Sequence, residues 1–187
     1  MNKRIISLGL ATALIAVSAC DKAEDKQAQQ GTEAVKQAGD KTIAAGLDKN
    51  SQFVALAKAA GLETTLNGPG PYTVFVPDDA AFAKLPAGAV DTLKSPEGKS
   101  DLTRTLTYHI LPGTVLAEDI AKAIDNGKGK AELATMGGEA LTATKDGDKI
   151  VLTDAAGGKS IVTKADATMS NGVVHMVDTV LMPGKSS

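Results

Sequence analysis

The body of this chain is predicted to be an α+β fold, on three features of its sequence. Apolar residues recur with helical spacing in parts of the stretch from Ser51 to Ile124, namely Ser51–Ala60, Leu102–Leu111 and Ala117–Ile124. One dense β-branched and aromatic run, Tyr72 to Val76, interrupts it. From Lys130 onward the pattern changes to short strand-like runs separated by glycine. Helices first and strands second argue against alternating βαβ units.

The first residues read as a leader and not as part of that fold. Lys3 and Arg4 precede Ile5 to Ala19, a run with neither charge nor proline. Fifteen residues fall short of the roughly 20 that span a hydrocarbon core, but suit the apolar part of an export signal. The run ends in Val17-Ser18-Ala19-Cys20. Small residues followed directly by cysteine resemble a bacterial lipobox, in which Cys20 takes a diacylglycerol and becomes the mature N-terminus. Cys20 is the only cysteine in the 187 residues, so it has no internal disulfide partner, and a free thiol is a liability in an oxidising compartment. Residues 1–19 are therefore expected to be a lipoprotein signal peptide, with Cys20 the lipidation site. Asp21 resembles an inner-membrane retention signal, which Lys22 does not strengthen, so inner and outer membrane both stay open.

Removing residues 1–19 takes away Lys3 and Arg4, leaving 18 basic groups against 22 acidic ones, a side-chain charge of −4. That excludes nucleic acid as an expected partner, because such binding rests on cations neutralising phosphates. It also excludes electrostatic docking on anionic lipid; the expected tie to the membrane is the N-terminal lipid. Residues 20–41, polar and monotonous, are expected to form a flexible tether. Residues 42–183 form one expected domain without internal repeats, and 184–187 a short tail.

Within that domain, Phe53, Leu56, Ala57 and Ala60 recur at i, i+3, i+4 and i+7 before Gly61, predicting a helix over Ser51–Ala60. Asn67 to Pro71 is a turn, and Tyr72 to Val76 a strand buried on both faces. Pro77 ends it, and Asp78 is placed to cap a short helix holding Phe82. Leu102 to Leu111 is predicted as one helix, with Leu102, Leu106, His109 and Ile110 on a single face, and Ala117 to Ile124 as another. The strand candidates are Lys130–Thr135, Glu139–Thr144, Lys149–Thr153, Ser160–Lys164, Val173–Val177 and Thr179–Met182. Asp146-Gly147-Asp148 is a hairpin signal and lacks the further oxygens of a calcium loop.

Three segments carry a resemblance. Thr73 to Phe82 (Thr-Val-Phe-Val-Pro-Asp-Asp-Ala-Ala-Phe), Leu106 to Gly113 (Leu-Thr-Tyr-His-Ile-Leu-Pro-Gly) and Asn171 to Pro183 (Asn-Gly-Val-Val-His-Met-Val-Asp-Thr-Val-Leu-Met-Pro) resemble, in order and spacing, the signatures of the fasciclin domain. The likeness implies a compact β-sandwich of about seven strands wedged with several helices, mainly in the N-terminal half. It also implies a non-catalytic adhesion or protein–protein contact module, with an envelope or cell-surface protein or polysaccharide as partner. Asp78, Asn171, Gly172 and His175 are its motif residues. In animal members the neighbourhood matching Tyr108-His109 is implicated in integrin-dependent adhesion. Read as residues, His109 falls seven positions after Leu102 on the apolar face, which favours a buried structural role. Tyr108 lies about 100° further round, with its hydroxyl expected at the surface, and is the better contact candidate.

Other chemistry is not supported. His175 lies in a strand apolar on both faces, and two histidines without a free cysteine make no zinc site. Asp78 and Asp79 diverge at a helix start. Gly98-Lys99-Ser100, Gly158-Lys159-Ser160 and Gly184-Lys185-Ser186 lack the earlier glycine of a phosphate loop, holding Leu93, Thr153 and Thr179 there. With no Gly-x-Ser-x-Gly elbow, neither cofactor nor enzyme activity is expected. The alternative function is a structural or small-ligand-binding envelope lipoprotein.

Overall fold

The computed structural model describes residues 39–184; the expected signal peptide, Cys20, most of the tether and the last three residues lie outside that span. The first third is helical: α1 (Ile43–Gly46), α2 (Gln52–Ala59) and α3 (Glu63–Asn67) lead into strand β1 (Tyr72–Pro77), followed by α4 (Asp79–Ala83), α5 (Ala89–Lys94) and α6 (Lys99–Tyr108). Then come β2 (Ile110–Pro112), α7 (Ala117–Asn126), β3 (Lys130–Ala134), β4 (Ala140–Asp146), β5 (Lys149–Thr153), β6 (Lys159–Met169) and β7 (Gly172–Val177).

Local chemistry starts several of these helices. Thr42, Ser51 and Asp78 each turn a side-chain oxygen onto the backbone N–H three residues ahead, at 3.3, 3.4 and 2.7 Å; such caps are worth about 1 kcal/mol each. Asp79 faces away from Asp78 and accepts the N–H of Gln52 at 2.9 Å. The two adjacent carboxylates thus serve the starts of two different helices, α4 and α2. Where α2 ends, Gly61 takes φ +77°, the left-handed exit that glycine makes at no steric cost.

The seven strands form one mixed sheet in the order β2-β1-β7-β6-β5-β4-β3, in which only β1 and β7 run parallel. β6 joins the two halves. Its first residues pair with β5 and the remainder with β7, across two register shifts between Val162 and Ala167. At the far end, the N–H of Met136, just past β3, reaches the carbonyl of Ile110 in β2 at 2.7 Å, so the sheet curls nearly into a barrel. This is the seven-strand fold with mainly N-terminal helices expected from the sequence, its two layers being halves of one folded sheet.

The curl explains why β1 is apolar on both faces. Val74 and Val76 point into a core with Ile43, Phe53, Leu56, Leu102, Leu106 and Val174, the helical side. Phe75, between them, points into a second core with Ile120, Ile124, Leu133, Leu141, Leu152 and Leu181. A strand wedged between two cores cannot alternate apolar with polar.

The structure corrects three readings. The helix predicted to Leu111 stops at Tyr108; Ile110 and Leu111 belong to β2, because the carbonyl of His109 accepts the N–H of Phe75 at 2.9 Å and sheet pairing replaces the next helical turn. The strand predicted as Ser160–Lys164 runs on to Met169, past Asp166, whose φ of +58° marks the irregularity between β6 and β7. Thr179–Met182 is not a strand: the backbone groups of Thr179, Leu181 and Met182 are held by side chains.

Candidate functional site

The three motif segments converge on that closing stretch. Tyr108 is the last residue of α6 and His109 its C-cap, at φ −84° and ψ −6°. The N–H of His109 goes to Leu106, and the carbonyl of Thr105, one of the four left over at a helix end, receives the His109 ring instead: Nδ1–H donates to it at 2.8 Å. On the other side of the ring, Nε2 accepts the N–H of Leu181 at 3.1 Å. One imidazole therefore ends a helix and pins the closing segment, with Phe53 edge-on at 6.4 Å.

Neighbouring side chains treat the rest of the segment the same way. Ser160 Oγ donates to the carbonyl of Thr179 at 2.8 Å and accepts its N–H at 3.2 Å. Asp154 accepts the N–H of Met182 at 2.8 Å through one carboxylate oxygen and that of Gly158 at 2.6 Å through the other. Glu139 accepts the N–H of Gly184 at 2.7 Å and pairs with Arg104 through its second oxygen. Those two partners, the amide first, hold the Glu139 carboxyl below its usual range.

Tyr108 departs from expectation. Its hydroxyl was expected at the surface, but the whole side chain is 0% exposed. The hydroxyl donates to the carbonyl of Ala140 at 3.1 Å and accepts the N–H of Ala155 at 3.0 Å, tying β4 to the turn after β5. Helical geometry alone places Tyr108 off the apolar face; the second layer of sheet, which folds over α6 from later in the chain, covers it. Burial is the main cause that pushes its phenol pKa up, opposed by the Ala155 bond. Gly137 lies directly against it: a Cβ there would stand 3.1 Å from the Tyr108 Cα.

His109 and His175 are both fully buried. His175 Nε2–H donates to the carbonyl of Val115 at 2.9 Å, and Nδ1 accepts the N–H of Asp166 at 3.2 Å, while the ring stacks on Phe75 at 5.4 Å. A carbonyl on one nitrogen and an amide N–H on the other fix the tautomer of each ring, Nδ1–H in His109 and Nε2–H in His175. Protonation would set N–H against N–H. Burial lowers both pKa values, that of His109 to about 4, and the Thr105 and Val115 carbonyls only partly offset it.

The remaining motif residues secure the opposite end. Asn171, 6% exposed, accepts the N–H of Ile43 at 2.8 Å and donates to the carbonyls of Leu66 and Gly68 at 2.9 and 2.7 Å. A Cβ on Gly172 would lie 1.9 Å from the Tyr72 carbonyl oxygen, so only glycine lets β7 meet the start of β1.

Comparison with known proteins matches this architecture. The family model described as "Fasciclin domain" covers residues 48–183. The chain belongs to the fasciclin domain family. It is 42% identical over 142 residues to Protein sll1483 of Synechocystis sp., an alignment covering 75% of this chain and 71% of that protein. It is 32% identical to human Periostin over 73% of this chain but only 15% of that protein. Among solved structures, a FAS1 domain pair from the insect cell adhesion molecule Fasciclin I superposes with a TM-score of 0.57 at 19% identity, covering 76% of this chain and 51% of that one.

In this fasciclin domain Asp78 caps a helix, and Asn171, Gly172, His109 and His175 hold backbone together; the fold brings Tyr108 and His109 to the closing segment but places both beneath the surface. Among the described residues no buried side-chain nitrogen or oxygen lacks a hydrogen bond, and no three His, Cys, Asp or Glu converge as metal ligands. Glu139, Asp154, Ser160 and Asp166 were missed as anchors. Asp154 had a signal, its place before Gly157-Gly158 in an Asx-type turn; the others had none, since their partners are distant in sequence.

Proposed function

We propose that this protein is a lipid-anchored, non-catalytic contact module of the cell envelope, which presents a rigid fasciclin domain to an envelope or surface protein or polysaccharide. The observation that carries the non-catalytic part is the engagement of Tyr108, His109 and His175. Every polar atom of these side chains is bonded to backbone, which leaves none as a base or nucleophile. Family membership and the likeness to a cell adhesion molecule support contact as the role. The Val17-Ser18-Ala19-Cys20 sequence supports the anchor.

Contact in this reading is made by the surface around the motif, not by the buried pair. The experiment is a deletion strain assayed for attachment or aggregation and complemented with the full chain or with Cys20→Ser, alongside mass spectrometry of the mature protein. The expected outcome is a defect restored only by the acylated protein. Unchanged attachment in the deletion strain, or an intact unacylated chain in the cytoplasm, contradicts the reading.

A further inference from the structure

A pocket of about 140 Å³ opens where α1, α2 and α3 meet, remote in sequence from the closing segment. Its floor is apolar: Leu66, Ala57 and Val54 are 2, 3 and 7% exposed, and Ala44 forms one wall. Cavities of about this size, roughly 150 Å³, hold a benzene-sized molecule when apolar. The rim is charged. Lys58 and Glu63 stand 4.0 Å apart and more than half exposed, so they largely neutralise each other. Lys49, also on the rim, has no ion pair among the described residues. An apolar well with one uncompensated cation at its mouth is complementary to a small monoanion with a short hydrocarbon body.

We propose that this three-helix pocket binds short-chain carboxylates, the hydrocarbon seated on Val54, Ala57 and Leu66 and the carboxylate held near Lys49. The site is independent of the contact role above, since none of its lining residues belongs to the closing segment or its anchors. With so few ligand atoms the dissociation constant is on the order of 1–10 mM.

The test is a methyl-NMR titration of the full chain with sodium hexanoate, using 1-hexanol and hexylamine as neutral and cationic counterparts. Saturable shifts are expected at the methyls of Val54 and Leu66, with hexanoate binding about three- to five-fold tighter than hexanol and hexylamine weakest. Lys49→Ala, at an exposed position, should bring hexanoate to the affinity of hexanol. Ala44→Leu, which narrows the mouth, should weaken both at least ten-fold. A melting curve for each variant separates loss of the site from loss of the fold; if Ala44→Leu unfolds, the Lys49→Ala arm decides. Absence of saturation at about 50 mM, or equal affinity for hexanoate and hexylamine, overturns the proposal.

Discussion

His109 and His175 are the same residue, equally buried and each fixed in one tautomer, yet their surroundings differ in what an added proton would meet. Around His109 both ring nitrogens face backbone that belongs to the fold's closure, the end of α6 and the segment at Leu181. Around His175 the Asp166 carboxylate lies 3.9 Å from Nδ1, on a half-exposed side chain that also accepts the N–H of Ala117 at 2.8 Å. A charged His175 has a carboxylate within a small displacement; a charged His109 has none in contact. The difference teaches that burial alone does not make a histidine a fixed staple. The absence of a second acceptor does.

The sharpest way to break that comparison is truncation. His109→Ala orphans the Thr105 carbonyl and the Leu181 N–H and opens a cavity between two cores, an expected loss of about 3–5 kcal/mol. For a domain of this size that lowers the melting temperature by roughly 10 °C or more. His175→Ala should cost less, because Asp166 lies at the partly exposed irregularity of β6, where water can replace the ring. Equal losses in the two melting curves would remove the distinction.

Acid sharpens it next. His109 has a folded pKa of about 4 against an unfolded 6.5, so the unfolded chain binds the proton first. Its contribution is complete above pH 6.5, falls as pH drops toward 4, and is then constant, a total of about 3 kcal/mol. Denaturant melts from pH 7 to 4 should show this slope in the wild type and a flatter one in His109→Gln. A Gln variant as steep as wild type would assign the acid sensitivity elsewhere.

Smaller effects follow at the margins of the site. Tyr108→Phe removes one hydroxyl that bridges Ala140 and Ala155, and should cost about 1–2 kcal/mol. Asp78→Ala removes one helix cap and should cost about 1 kcal/mol. Both are read from denaturation midpoints.

Much of this was legible where the cause is local. Asp78 caps the short helix holding Phe82, as its place after Pro77 suggests, Lys149–Thr153 is the strand its aliphatic run describes, and Gly147 takes φ +58° in the turn joining β4 to β5. Legibility failed where partners are far apart. The parallel pairing of β1 with β7 joins segments about a hundred residues apart, with no local trace. The Tyr108 hydroxyl meets groups 32 and 47 residues ahead, so helical periodicity could not foresee its burial. Short α3 and α5 lack the length for a periodic signal, and Ala165 to Ala167 lack the β-branched residues that mark a strand. Thr179–Met182 had the composition of a strand, but the side chains of His109, Asp154 and Ser160 take the backbone groups that a neighbouring strand would pair.

The claim that Tyr108 and His109 anchor the fold and do not touch a partner is tested most directly by pairing two readouts on Tyr108→Phe and His109→Gln. Each variant is melted, and its attachment in the deletion strain is measured at a temperature where it remains folded. The account predicts lowered melting temperatures with attachment retained. Attachment lost with the melting curves unchanged would contradict it.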